Sequence, residues 1–119
     1  MGRSIALTLA REGASVVVNY RTSSDSASAI VSHIENQSGR ALTCRADVTQ
    51  GDQCKALVDA TVEAFGLVDI CVIGPGAGWH PEPVEVLDPA AALDDAYKEL
   101  APIYYLMPIV LPGMYERKW

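Results

Sequence analysis

The run Ser15-Val16-Val17-Val18-Asn19-Tyr20 decides the fold. Three consecutive valines without polar alternation do not suit a strand with one wet face. They suit a strand covered on both faces, as in a parallel sheet sandwiched between helices. Before this run, Ile5, Ala6, Leu9 and Ala10 stand at helical spacing, which predicts a helix over about 2–12. Gly13 follows it as a residue able to take positive φ and end the helix. After the run comes the polar stretch Arg21-Thr22-Ser23-Ser24-Asp25. Ala27, Ile30, Val31 and Ile34 then fall at i, i+3, i+4 and i+7, the stripe of a second helix over about 25–38 that Gly39 ends.

The same alternation continues. A second strand is expected over about 41–46, finishing at Asp47-Val48. Thr49 has the chemistry of an N-cap, with Asp52 three residues on as a weak capping box. The third helix should bury Cys54, Leu57, Val58, Thr61 and Phe65 and stop at Gly66. A third strand, Val68-Asp69-Ile70-Cys71-Val72-Ile73, then runs into Gly74-Pro75-Gly76-Ala77-Gly78. Asp88-Pro89 starts a fourth helix, with proline where a helix tolerates it. That helix holds Ala90 to Leu100, and Pro102 and Pro108 are expected to kink or break it. Alternating helix and strand with short turns means an α/β fold on a parallel sheet, as one domain over residues 1–119.

Composition narrows the function. The net charge is −6 and the basic residues are scattered, which argues against a nucleic-acid partner. Cys44, Cys54 and Cys71 form no CxxC pair and cluster with no histidine, so they read as small hydrophobes in a reducing compartment. The N-terminus does not resemble a signal peptide, and no apolar run approaches the roughly 18 residues of a membrane span. A cytoplasmic protein with no membrane partner and no metal is expected.

Ligands of open parallel sheets bind beyond the carboxyl ends of the strands. Asn19-Tyr20-Arg21, Asp47-Val48 and the glycines from Gly74 onward should share that edge. Gly2, at the start of the first helix, should lie there too, where free N–H groups and the helix dipole favour a pyrophosphate.

Gly2-Arg3-Ser4-Ile5-Ala6 resembles the end of the glycine motif of short-chain dehydrogenases/reductases. Val16 to Arg21 is similar to that family's second strand, and Asp47-Val48 to its acidic-hydrophobic pair at the adenine ring. Val68 to Gly76 resembles the strand carrying its Asn-Asn-Ala-Gly motif. Leu111-Pro112-Gly113-Met114 resembles the end of its long interface helix. The resemblance runs through essentially the whole chain in the right order. It implies a partial Rossmann-like, doubly wound parallel sheet and hydride transfer between a nicotinamide and a carbonyl or alcohol. It further implies a fragment truncated at both ends, without the first strand and the C-terminal half. Loss of the central strand would expose unpaired edges, so low stability in isolation is expected. The second and fourth strands of the family order would either close up and pair directly or leave the chain partly unfolded.

Departures from the family pattern bear on activity. Ile73-Gly74-Pro75-Gly76 stands where the two asparagines are expected, and Glu99 stands where a catalytic asparagine is expected. The family's catalytic serine and Tyr-x-x-x-Lys pair fall beyond Trp119, and no Tyr-x-x-x-Lys occurs in the chain. Tyr97-Lys98 and Tyr115-Glu116-Arg117-Lys118 have the wrong spacing or context. No catalytic residue is therefore assigned, and the chain alone is expected to be inactive, because general acid/base catalysis is typically worth about 10²–10⁴-fold.

A site of this kind places a carboxylate about 20 residues after the glycine motif when the cofactor is NAD. Asn19-Tyr20-Arg21 offers a cation instead, and Arg21 could pair with a 2′-phosphate, so NADP is favoured over NAD, with weak or absent binding expected of these residues alone because most of the glycine loop is missing. The assigned cofactor-binding residues are Gly2, Tyr20, Arg21, Asp47, Val48, Gly74 and Gly76. Arg21 also reads as a solvated loop residue, Asp47 as the cap of the next turn, and the glycines as turn formers. His33 reads as a residue at the border of the second helix's apolar stripe, Trp79-His80 as a loop anchor or a substrate contact, and Tyr104 and Tyr105 as packing on the interface helix. The resemblance implies a small-molecule substrate and a homo-oligomeric parent. The alternative is a non-enzymatic nucleotide-binding or subunit-interaction module on the same fold.

Overall fold

The valine run forms β1, Val16–Tyr20, and it pairs in parallel with β2, Ala41–Arg45. The register sets Val16 against Ala41 and Tyr20 against Arg45, so both carboxyl ends finish level on one edge. A computed structural model describes residues 1–74 and 82–119; Gly76, Trp79 and His80 lie outside the described residues. Among the described residues four helices accompany the strand pair: α1 Gly2–Arg11, α2 Ser24–Glu35, α3 Gly51–Phe65 and α4 Pro89–Glu116, the last packed on α3. A short 3-10 turn, Val84–Val86, precedes α4.

Helix ends follow local chemistry. Gly13 takes φ +94° after α1, and the N–H groups of Gly13 and Ala14 close on Ala10 and Leu9 at 3.0 Å each. This satisfies carbonyls that a helix end leaves without partners. Gly66 ends α3 at φ +90°. At the end of α2 the left-handed position falls on Ser38, φ +62°, and not on Gly39. Gly39 is needed for space: a Cβ there would come within 2.6 Å of Ile34 Cγ2. Asp88 caps α4 as its sequence suggests, its Oδ1 accepting from Ala90 N–H at 3.0 Å.

Thr49 does not cap α3. The helix starts at Gly51 after Gln50, and no side chain bonds its N-cap position. The Thr49 hydroxyl donates to Asp47 Oδ1 at 2.7 Å. A charged acceptor two residues away outcompetes the helix terminus for that hydroxyl.

Pro102, Pro108 and Pro112 do not break α4, which runs unbroken for 28 residues. Proline in a helix interior costs about 3 kcal/mol. Tertiary packing offsets it: Pro102 is fully buried, and Leu106 and Val110 below it form a core with Cys54 and Val58 of α3. Val68, Cys71 and Ile73 pack against the same cluster. In the other helix pair α1 and α2 lie on each other and on β1, and Ile34 is 2% exposed beneath α2.

Val68–Ile73 has the composition of a strand but bends at Asp69 and joins no ladder, contrary to the third strand expected. Val68, Cys71 and Ile73 face the α3–α4 core, whereas Ile70 and Val72 are about half exposed. A strand exists only where a neighbour takes its N–H and C=O groups, and no described strand stands between this segment and β1. Nor do the two close up and pair directly: the described sheet has the two strands β1 and β2. The accessible surface is 8170 Å², against about 6,200 Å² for a compact 12.7 kDa chain. The radius of gyration is 16.0 Å, against about 13.5 Å for a compact domain of this length. Val16, Val17 and Val18 are accordingly half-buried rather than covered on both faces. Among the described residues no helix is long and apolar enough to cross a membrane.

Candidate functional site

The shared carboxyl edge of β1 and β2 brings together Tyr20, Arg21, Asp47 and Val48. Asn19, beside the tip of β1, locks the two strand ends: its Nδ2 donates to Cys44 O at 3.2 Å and Ala46 O at 3.0 Å. Ala46 N–H donates to Tyr20 O at 3.0 Å, extending the ladder one residue past β2. Tyr20 is half-buried and Arg21 exposed just beyond it. Arg45 Nε donates to the Arg21 carbonyl at 3.3 Å, which holds the Arg21 backbone against β2. Sequence reasoning missed Arg45. Its signal was its place as the last residue of β2, in register with Tyr20.

Asp47 forms the second part of the site. Its Oδ1 accepts from Thr49 N–H at 3.0 Å and Thr49 Oγ1 at 2.7 Å, while its own N–H donates to Gln53 Oε1 at 2.7 Å. The Thr49 hydroxyl, then the Thr49 N–H, hold the Asp47 carboxyl below the ordinary carboxylate range. The positive charge of Arg21 acts in the same direction, against partial burial. A cation thus stands beyond the tip of β1 and a carboxylate beyond β2, on the same edge of the sheet. Val48 is half-buried beside them, packs on the α3–α4 core and accepts from Cys54 Sγ through its carbonyl at 3.3 Å.

Gly2 opens α1 and is exposed, with no atom within 4 Å of where a Cβ would stand. The short link 12–15 joins α1 to β1. Gly74 follows Val68–Ile73 and is exposed. It has no positive φ, and a Cβ placed there would meet no atom of the described residues within 4 Å. Among the described residues neither the backbone nor packing demands glycine at Gly74.

Other candidates take structural places. His33 is exposed, its Nε2 3.3 Å from Gln37 Nε2. Lys98, next to Tyr97, is engaged by Asp94 and Asp95, which raise its pKa. Burial pushes the thiols of Cys44, Cys54 and Cys71 up, so they stay protonated and poorly nucleophilic. Tyr104 is exposed, whereas Tyr105 is half-buried against the start of α3.

The short chain dehydrogenase family model matches residues 1–119. The chain belongs to this family. It is 36% identical over 115 residues to 7alpha-hydroxysteroid dehydrogenase of Escherichia coli, covering 96% of this chain and 44% of that enzyme. A dehydrogenase/reductase from Sinorhizobium meliloti superposes with a TM-score of 0.81 at 33% identity, over 88% of this chain and 41% of that one. A metagenomic short-chain oxidoreductase in complex with NADP superposes with a TM-score of 0.80 at 26% identity, over 98% and 52%. The chain thus spans roughly half or less of each of these relatives. Its α/β architecture, with a small parallel sheet and four helices, is that of the Rossmann-fold members of the family.

Proposed function

We propose that the chain is part of an NADP-dependent short-chain oxidoreductase, and that these 119 residues bind the adenosine half of the cofactor without turning over substrate. The observation that carries this reading is the edge that carries both Arg21 and the fixed Asp47 carboxylate. The donor set suits the group. Arg21, with Arg45 beside it, offers positive charge to a 2′-phosphate, and Asp47 offers a carboxylate to an adenine amino group. Tyr20 and Val48 would flank the adenine, and Gly2 would offer helix N–H groups to the pyrophosphate. Gly74 leaves open space at the end of its segment, and Gly76 is assigned to the same role from its sequence position. The nicotinamide supplies the hydride when bound. No residue here stands in place of the family's tyrosine and lysine as proton donor. The substrate is a small carbonyl or alcohol compound, and the setting is cytoplasmic.

Replacing Arg21 by Asp should invert the preference, weakening NADP and favouring NAD in equilibrium binding. An unchanged NADP preference in that variant would remove Arg21 from the site. Purified protein should oxidise NADPH with a panel of ketones no faster than buffer; clear turnover would refute the inactivity.

A second reading, a subunit-interaction module, draws on α4. Leu93, Tyr97, Leu100, Tyr104 and Tyr115 leave an apolar stripe in solvent at helical spacing. Homo-oligomerisation through this helix should show in sedimentation and weaken with Tyr104→Glu. A monomer at all concentrations would reject it.

A further inference from the structure

Tyr97 and Tyr105 stand two turns apart on α4, and their hydroxyls meet at 3.2 Å. Tyr97 donates its single hydroxyl proton to the Thr49 carbonyl at 3.3 Å. The proton between the phenols must then come from Tyr105. The chain of bonds has one direction: Tyr105 to Tyr97, and Tyr97 to Thr49. Thr49 in turn gives its N–H and its hydroxyl to Asp47 Oδ1. Three polar groups of Thr49 are thus engaged, one toward α4 and two toward the carboxylate.

Shape supports the same connection. A Cβ at Gly51 would lie 3.1 Å from Tyr105 Cδ1 and 3.2 Å from its Cε1. Glycine at the first residue of α3 lets the Tyr105 ring sit against the backbone there. The ring's placement fixes its hydroxyl, and its hydroxyl fixes that of Tyr97. Elsewhere α4 meets α3 through the apolar core of Cys54, Val58, Leu106 and Val110, on which Val48 also packs.

We propose that Tyr97 and Tyr105 are positioning residues that hold the Asp47–Thr49 turn, so that α4 sets the orientation of the carboxylate offered to adenine. This rests on the reading that Asp47 meets the adenine ring. Both Thr49 bonds fall on Oδ1, which leaves Oδ2 as the oxygen for a ligand amino group. A turn free to rotate would present that oxygen in many directions. A turn tied through Thr49 presents it in one.

The test uses Tyr97→Phe, Tyr105→Phe and the double variant, which keep both rings and remove only hydroxyls. Two readouts are taken on each: the Asp47 carboxyl titration by NMR, and the affinity for adenosine 5′-monophosphate. In the variants the Asp47 titration should move up toward the ordinary carboxylate range, and affinity should fall about three- to tenfold, the worth of one hydrogen bond. The double variant should lose little more than either single, because the bonds act in series. A thermal melt close to wild type separates positioning from a general loss of fold. An Asp47 titration unmoved in both single variants would overturn the proposal. The adenine reading fails separately: Asp47→Asn leaving the nucleotide affinity unchanged would refute it, while the titration still decides the role of the tyrosines.

Discussion

Replacing Gly39 by alanine tests how tightly the end of α2 packs where the chain turns into β2. The new Cβ would stand 2.6 Å from Ile34 Cγ2 and 3.1 Å from the Ile34 carbonyl oxygen. Carbon pairs settle at about 3.5–4.0 Å, so one of the two must move by roughly 1 Å. Ile34 is only 2% exposed and branched at Cβ, so it has little room and few rotamers. Overpacking of this kind costs about 1–3 kcal/mol. The φ of Gly39 is not in the left-handed region, so alanine brings no backbone strain and recovers about 0.4–1 kcal/mol from the unfolded chain. The net loss should lie between about 0 and 2.6 kcal/mol. With 119 residues, 1 kcal/mol shifts Tm by about 4 °C, so the expected drop is at most roughly 10 °C. The assay is a thermal melt followed by circular dichroism, run also in an Ile34→Leu background. Leucine moves the branch to Cγ and removes the atom in conflict. Gly39→Ala should then cost little or become neutral. Equal costs in the two backgrounds, or a raised Tm for the single variant, would refute the steric account.

Pro108 is exposed inside α4, so Pro108→Ala should stabilise the chain by up to about 3 kcal/mol; Pro102→Ala should gain less, because its buried ring contributes packing, and urea unfolding compares the two. Arg117 Nη2 donates to Val68 O at 2.8 Å and Asp69 Oδ1 at 3.2 Å, tying the end of α4 to a segment with no ladder. Arg117→Met should cost about 1 kcal/mol and speed hydrogen exchange at Val68–Ile73 more than in β2. The Asp47 carboxyl is lowered in the folded chain, so its contribution to stability is full above its unfolded pKa and is lost as pH falls through the lower folded value. Thr49→Val removes the largest cause, and unfolding curves between about pH 2 and 7 should show a weaker acid dependence.

What was legible in the sequence was what neighbours in the chain decide. The valine run, the Ala27–Ile34 stripe, Gly13, Gly66 and Asp88-Pro89 carry their own signals, and β1, α1, α2, α3 and the start of α4 follow them. Val68–Ile73 was not legible as unpaired, because its composition is that of a strand and only an adjacent strand makes it one. The continuity of α4 depends on packing with α3, which proline propensity does not register. Thr49 has the look of a cap, but the competing acceptor, Asp47, is visible only once the turn is built. At the site, Arg21 and Asp47 could be placed on one edge from strand order alone. The Tyr97–Tyr105 link to Thr49 could not, since it joins residues 48 positions apart. Its one sequence trace is the spacing of eight between the tyrosines, which puts both on the same helix face.

The central claim is that this edge reads an adenosine carrying a 2′-phosphate. Titration of the protein with 2′,5′-ADP and, separately, 5′-ADP, followed by amide NMR shifts, tests it most directly. The account predicts shifts at Tyr20, Arg21, Asp47 and Val48, with 2′,5′-ADP bound roughly tenfold or more tightly, as a charge-assisted pair with Arg21 provides. Equal affinities, or shifts confined to other residues, would contradict it.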